Sequence, residues 1–411
     1  MLNGSAFALQ WQHLNNWLAA HREFWQPRPF TEPAPGWTRR WPELASHVSA
    51  FTDEQCLAFD SDPSALAREL GDLLASLPER ERLTALPELV SNASAEACTL
   101  PEVRARDMPG RKRQQAGAFA ATLRPLHSPV LDWCCGKGHL ARTLRPLCDH
   151  AISGFEWDPL LVSDGNRLAQ KFNDAVTVMQ QDVMADDLTL PGDGHAVALH
   201  ACGDLHRRLI RKAAQQGLPR LSVAPCCFHL SRAGNHQPLS RLAGQWRECL
   251  QVTGADLKLA VEEMVTAPAR VRSQVQMVRQ WRLAFDGLQR QLRGVDDYLP
   301  VPSHPGWVAR GNFVGFCRWA ADKKQLTLPA SVDYAAWEAH GIQRLAQVRR
   351  HELVRHLFRR PLELWLVLDY AIFLEEQGYE VRLGTFCDRS LTPRNLLIDA
   401  TLSHGSRQGL R

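Results

Sequence analysis

Between Ser128 and Phe228 the chain alternates short β-rich runs with helical sequence, and this alternation narrows the fold more than any other feature. The runs are "SPVLDW", "HAISGFEW", "AVTVMQQD", "HAVALHACG" and "RLSVAPCCF", with helical stretches near 139–147, 160–172 and 204–216. Five strands separated in this way pair in parallel through right-handed crossovers, which predicts an open, doubly wound α/β sheet. Ligands of such sheets bind beyond the carboxyl ends of the strands, near the point where strand order reverses. The unusual residue clusters of this chain fall at those ends.

The remaining sequence arranges itself around that core. At 411 residues the chain is long enough for two or three domains. Residues 1–104 read as an all-helical domain, with Leu9, Trp11, Leu14, Trp17 and Leu18 at helical spacing. Five of the thirteen tryptophans lie in the first 41 residues and are expected to serve as core or domain contacts. Residues 105–239 hold the five strands. Residues 240–360 read as a basic, mainly helical insertion containing one strand-like run, "NFVGFCRWA". In 361–411 an apolar helix, "PLELWLVLDYAIFLEEQ", is followed by two strands, "YEVRLGTFCD" and "RNLLIDATL", that are expected to complete the sheet.

Net charge is only +4 and names no partner, but its distribution is uneven. Thr266–Gly294 holds six arginines against Asp286, and Gly341–Arg360 holds six against Glu352, which suits either solvated helix faces or a polyanion. No apolar run approaches the ~20 residues that span a bilayer. The start lacks the marks of a secretory signal. Eleven cysteines, two pairs of them adjacent, suit no extracellular disulfide framework, so the expected compartment is the cytoplasm.

The first strand runs into "LDWCCGKGHL", where Asp132, Cys134, Gly136 and Gly138 follow an acidic-x-Gly-x-Gly-x-Gly spacing with Cys134 in the first glycine slot. Glycines there let the backbone turn sharply and approach a ligand. The second strand ends in Glu156, 20 residues beyond Gly136, with Trp157 beside it. An acid at that tip accepts hydrogen bonds from both ribose hydroxyls of an adenosine. At the third tip Asp182, followed by Val183, is suited to accept from adenine N6. A nicotinamide dinucleotide needs Gly-x-Gly-x-x-Gly and room for a pyrophosphate. Here the gaps are single and Lys137 sits between the glycines, which favours S-adenosylmethionine (SAM).

The fourth and fifth strands end in "HACGDL" and "APCCFH". In a doubly wound sheet these tips lie beside the transferable methyl group, so His200 counts both as a cofactor and as a substrate neighbour. Three readings stay open for the cluster of Cys202, Cys226, Cys227, His200 and His229, with Cys134 nearby. The cysteines are packing residues; or His200, Asp204 and His229 position the substrate and move protons; or the thiols bind a metal or act as nucleophiles. Zinc sites usually space their cysteines two to four residues apart, so adjacent pairs are awkward for one tetrahedral centre and no metal is expected.

"LDWCCGKGHLA", "LHACGDL" and "APCCFH" together resemble the methyltransferase-like-25 group of class I methyltransferases. They are also similar to the eukaryotic tRNA acceptor-stem 2′-O-methyltransferases, and "CCGKGHL" resembles the methyltransferase part of glutathione-transferase-C-terminal-domain proteins. "DMPGRKRQQAGAFA" resembles the Lys-Lys-x-x-Glu helix start of that group, with Gln115 and Ala116 where the acid is usual. The segment "PLELWLVLDYAIFLEEQGYEVRLGTFCDRSLTPRNL" resembles its closing helix and Ser-Pro-Arg-Asn strand pair. The zinc finger of the tRNA enzymes is absent. The resemblance implies a Rossmann-like seven-strand methyltransferase sheet and SAM-dependent methylation of RNA. His200, Asp204, Cys226, Cys227 and His229 would form the catalytic rim, and Lys112, Arg113, Lys137 and the basic insertion would contact phosphates. A protein side chain as acceptor, and a SAM-binding scaffold without transferase activity, are the alternatives.

Overall fold

The structure, a computed structural model, describes residues 5–126, 129–246, 248–263 and 269–403. The expected strand start at Ser128, the Thr266–Pro268 end of the first arginine block and the tail from His404 lie outside the described residues. The chain divides into two compact units, one comprising Met1–Ala19, Arg82–Glu263 and Arg359–Arg411, the other Ala20–Glu81 and Met264–Phe358.

The first unit is built on one sheet. Its elements run α1 (Gly110–Thr122), β1 (Val130–Trp133), α2 (His139–Leu144), β2 (Ile152–Glu156), α3 (Pro159–Phe172), β3 (Val176–Gln180), β4 (His195–Cys202), α4 (Asp204–Gln215), β5 (Arg220–Cys226), α5 (Arg359–Glu376), β6 (Tyr379–Thr385) and β7 (Leu396–Leu402). The strand order is β3-β2-β1-β4-β5-β7-β6. The first five strands are parallel, and β7 runs antiparallel to both β5 and β6. The expected sheet, completed by the C-terminal pair, is therefore observed. Order reverses between β1 and β4, so their tips flank the crevice that such sheets use for ligands.

The sequence explains the layering. β1 and β5 are buried along their whole length, as strands covered by helices on both faces must be. Helix α5 is apolar nearly all round, with Leu362, Leu364, Leu366, Val367, Leu368 and Ile372 buried, and covers one face. Trp11 of the helix Ala6–Ala20 stacks on Trp365 with ring centroids 5.8 Å apart, a core contact of the kind expected for the N-terminal tryptophans. At the antiparallel flank Arg220 forks onto both oxygens of Asp399, each at 3.0 Å, while Ser222 donates to the same carboxylate at 2.7 Å.

The second unit is helical. Its two longest helices, Ala269–Arg293 and Tyr334–His356, meet at Gly341, where a Cβ would come within 2.7 Å of the Ala284 Cβ. The strand-like run "NFVGFCRWA" is instead the start of a helix, Phe313–Lys324. Asn312 caps it by accepting from the Gly315 N–H at 2.9 Å. Phe313, Phe316, Cys317, Ala320 and Ala321 then fall on one buried stripe, a 3.6-residue period that the short run disguised.

The arginine blocks turn largely inward. Arg279 forks onto Glu352 at 2.6 and 2.7 Å, Arg282 donates to the Val301 and Pro302 carbonyls, Arg350 to that of Phe51 and Arg355 to that of Trp25. These guanidinium groups tie segments of the helical unit together and are not held ready for a polyanion. Among the described residues no helix is long and apolar enough to cross a membrane.

Candidate active site

The loop after β1 takes its shape from left-handed residues. Cys134, Gly136 and Gly138 have φ of +57°, +56° and +68°. Cys134 thus adopts the backbone of the glycine whose slot it fills. Its neighbour Cys135 packs beneath the loop against β2, where a Cβ on Gly154 would lie 2.6 Å from the Cys135 sulfur. A Cβ on Gly136 would meet nothing within 4 Å, so this backbone faces open space.

Glu156 gathers the loop around that space. One carboxylate oxygen accepts from the Gly136 N–H at 2.9 Å, and the other from the Trp157 and Asp158 N–H groups at 3.0 and 3.1 Å. Trp157 is 74% exposed beside this carboxylate. Asp182, at the β3 tip, accepts from the Met184 N–H at 2.8 Å, and Val183 is buried beside it. Burial pushes the Cys134 thiol up to about 12, and the charges of Glu156, Asp132, Cys202 and Asp182 act on it in the same direction. One neighbourhood therefore brings these tips together. Asp132 lies deeper, accepting from the Ala141 N–H at 3.0 Å. Burial raises its pKa to about 7 against that hydrogen bond, with Glu156 adding to the rise.

Across the crevice, β4 and β5 end irregularly. Their register shifts between Leu199 and Cys202, and His200 has φ +69°. Gly203 follows at φ +57°, packed so tightly that a Cβ would come within 2.0 Å of the Leu230 carbonyl oxygen. His200 is exposed at the rim and bonds through Nε2 to Gln115 Oε1 at 2.9 Å. Gln115 is itself buried, and its Nε2 donates to the Leu391 carbonyl at 2.8 Å, which fixes the amide so that its oxygen faces the ring. The His200 Nε2 must then carry the proton, leaving Nδ1 as an acceptor. Surrounding protein lowers the His200 pKa, and Lys112 lowers it further, so the ring is neutral at neutral pH.

The sequence-expected residues divide into two groups. His200, Cys226, Cys227 and Cys202 meet at the β4 and β5 tips, with the three sulfurs within 4.8 Å of one another. His229 follows two residues after Cys227, its Nδ1 buried without a hydrogen-bond partner. Asp204 is occupied with structure, its carboxylate accepting from the Arg232 N–H at 2.8 Å to brace the loop after β5. Lys137 is tied to Asp164 of α3 at 2.9 Å, and that bond raises its pKa. Arg113 donates to the Leu100 carbonyl at 3.0 Å. Of the three expected phosphate ligands, only Lys112 is exposed and acts electrostatically on the rim. Gln115 was visible in sequence only as a missing acid, and Arg394, whose charge reaches both His200 and Cys227, only as part of a strand-pair motif.

The arrangement fits SAM. An open glycine turn suits the methionine end, an acid at the β2 tip suits the ribose, and a second acid at the β3 tip suits adenine. Comparison with known proteins agrees. Residues 114–233 match the family model described as "Methyltransferase domain". With the seven-strand sheet around it, this segment is a SAM-dependent methyltransferase domain of the class I fold.

Similar solved structures include the Pyrococcus abyssi tRNA (uracil-54, C5)-methyltransferase in complex with S-adenosyl-L-homocysteine, at 14% identity and a TM-score of 0.24. That match covers 28% of this chain and 29% of the other. A Pyrococcus horikoshii protein provisionally described as an RNA methyltransferase matches at 16% identity and a TM-score of 0.25, over 32% of this chain and 70% of its own. Overlaps so small carry no argument about substrate.

Proposed function

We propose that the protein methylates RNA, with the acceptor seated at the tips of β4 and β5. The observation that carries the enzymatic part is the Gln115–His200 pair: a buried amide fixes one ring nitrogen as donor and leaves Nδ1 free at the rim. Glu156 would hold the ribose, Asp182 the adenine, and Gly136 and Gly138 would admit the methionine end, with Trp157 available on the exposed side. The bound cofactor supplies an electrophilic methyl group on a sulfonium. His200 Nδ1 would align an acceptor hydroxyl at the rim and take its proton, so the chain's own contribution would be alignment plus one proton transfer.

RNA as acceptor rests on the resemblance to the methyltransferase-like-25 group and the tRNA 2′-O-methyltransferases, and on exposed Arg111 and Lys112 at the start of α1. The inward-turned arginines of the helical unit add little to it. Eleven free cysteines suit a cytoplasmic home.

The test is incubation of the full-length chain with radiolabelled SAM and total cell extract, followed by nuclease or protease. Nuclease-sensitive label is expected. Protease-sensitive label would move the acceptor to protein, and cofactor binding without any transfer would leave a scaffold. Glu156→Ala is expected to weaken SAM binding at least ~100-fold through loss of charge-assisted hydrogen bonds; unchanged affinity would overturn the cofactor assignment.

A further inference from the structure

Cys202, Cys226 and Cys227 form a cluster that the proposed methyl transfer does not use. In an extended strand, successive side chains point to opposite faces, so the sulfurs of an adjacent pair should diverge. They do not here. Cys227 has φ +51°, and this left-handed turn swings its side chain back to the side of Cys226. Cys202 is brought in by a second irregularity, the register shift after Leu199 with His200 at φ +69°. Left-handed conformations are unfavourable for non-glycine residues and persist where the surroundings impose them. Three small packing residues would need neither departure.

The spacing is that of a coordination site. The Cys202 and Cys226 sulfurs are 3.7 Å apart. This is far beyond the ~2.05 Å of a disulfide. It matches the edge of a tetrahedron with ~2.3 Å zinc–sulfur bonds, which is about 3.8 Å. All three sulfurs lie within 4.8 Å of one another, close enough to share one ion.

We propose that Cys202, Cys226 and Cys227 hold one zinc ion at the rim of the crevice, with a fourth position open to solvent. The adjacency that argued against a metal from sequence is what the left-handed turn at Cys227 overcomes. Binding releases the thiol protons to solvent and changes no oxidation state.

The site is tested on the full-length chain, purified under reducing conditions, by elemental analysis and by cobalt(II) titration. About one zinc per chain and an intense thiolate-to-cobalt charge-transfer band are expected. Cys202→Ala and Cys227→Ala should lose both, while Cys249→Ala, at an exposed cysteine elsewhere, should keep both. Circular dichroism establishes that the variants fold, and the wild-type cobalt band decides the matter should they not. Wild-type protein without zinc and without that band, or a Cys202–Cys226 disulfide in reduced preparations, would overturn the proposal. Metal content is read without turnover, so this outcome is independent of whether the acceptor is RNA.

Discussion

The two sides of the sheet solve opposite problems. At the carboxyl edge of β1, β4 and β5 the backbone is left-handed at Cys134, Gly136, His200, Gly203 and Cys227, and the Gly136 turn faces open space. At the antiparallel flank the buried polar groups around Asp399 are paired with one another. Asp399 receives Arg220, Ser222 and Arg382, and His195 completes the chain through Ser222 at 2.8 Å. Burial alone would raise the Asp399 pKa, but Arg220 and the other donors hold it down to about 2. One flank satisfies its buried charges among themselves. The other keeps conformational strain and unfilled space, which a ligand can exploit.

The contrast predicts where damage will land. Asp399→Ala leaves Arg220 buried without its partner and should cost about 3–5 kcal/mol of folding stability, the largest effect foreseen here. Because the folded pKa lies below the unfolded one, the carboxylate's contribution is present above about pH 4 and is lost as pH falls towards 2. Denaturant melts between pH 2 and 7 would check both statements. SAM affinity of the folded fraction should stay unchanged, since the residue lies on the far side of β5 from the glycine turn. An equal loss of stability and cofactor binding would show that the two flanks are not separable.

Some of this was legible in sequence and some was not, for physical reasons. The sheet was legible because each strand carries its own local signal and its tip a chemically distinct residue: Cys134, Glu156, Asp182, His200, Cys226. What was missed depends on distant partners. Gln115 reads as a lost acid until Leu391, 276 residues away, fixes its amide. The arginines of 266–360 read as a surface until the carbonyls of Trp25 and Phe51 appear beside them. The run "NFVGFCRWA" is short and apolar, and only the Asn312 cap and the buried stripe decide for a helix. Positive φ at Cys227 could not be read from residue type, since few side chains favour it.

Asp132 lies between the two regimes, fully buried like the flank but pointing into the loop of the open edge. Its raised pKa means that in the free protein it is partly protonated near neutrality. Its stabilising contribution to the free protein is present below about pH 4 and is lost as pH rises through about 7. A cationic ligand in the loop favours the ionised form, so binding releases a proton below pH 7. SAM affinity should therefore rise up to about tenfold per unit as pH increases towards 7 and level off above it. Calorimetry from pH 6 to 8 measures this, and Asp132→Asn, which can still accept from Ala141, should flatten the curve. A flat curve in the wild type would remove Asp132 from the cofactor's electrostatic reach.

Cys134 offers the smallest effect and the finest distinction. With φ +57° it bears a strain of about 1 kcal/mol that glycine would not. Glycine loses more chain entropy on folding, by roughly 0.5–1 kcal/mol, so the two terms nearly cancel. Cys134→Gly should then change stability by less than about 1 kcal/mol, with stabilisation the expected sign if strain dominates. SAM affinity should move by no more than about threefold, because the backbone that approaches the ligand is unchanged. Zinc content should also be unaffected, since Cys134 contributes no sulfur to the trio at the β4 and β5 tips. A tenfold loss of affinity would show that the thiol itself touches the cofactor, and a loss of zinc would make Cys134 the fourth ligand. Either result would turn a steric substitution in the first glycine slot into part of the chemistry of the edge.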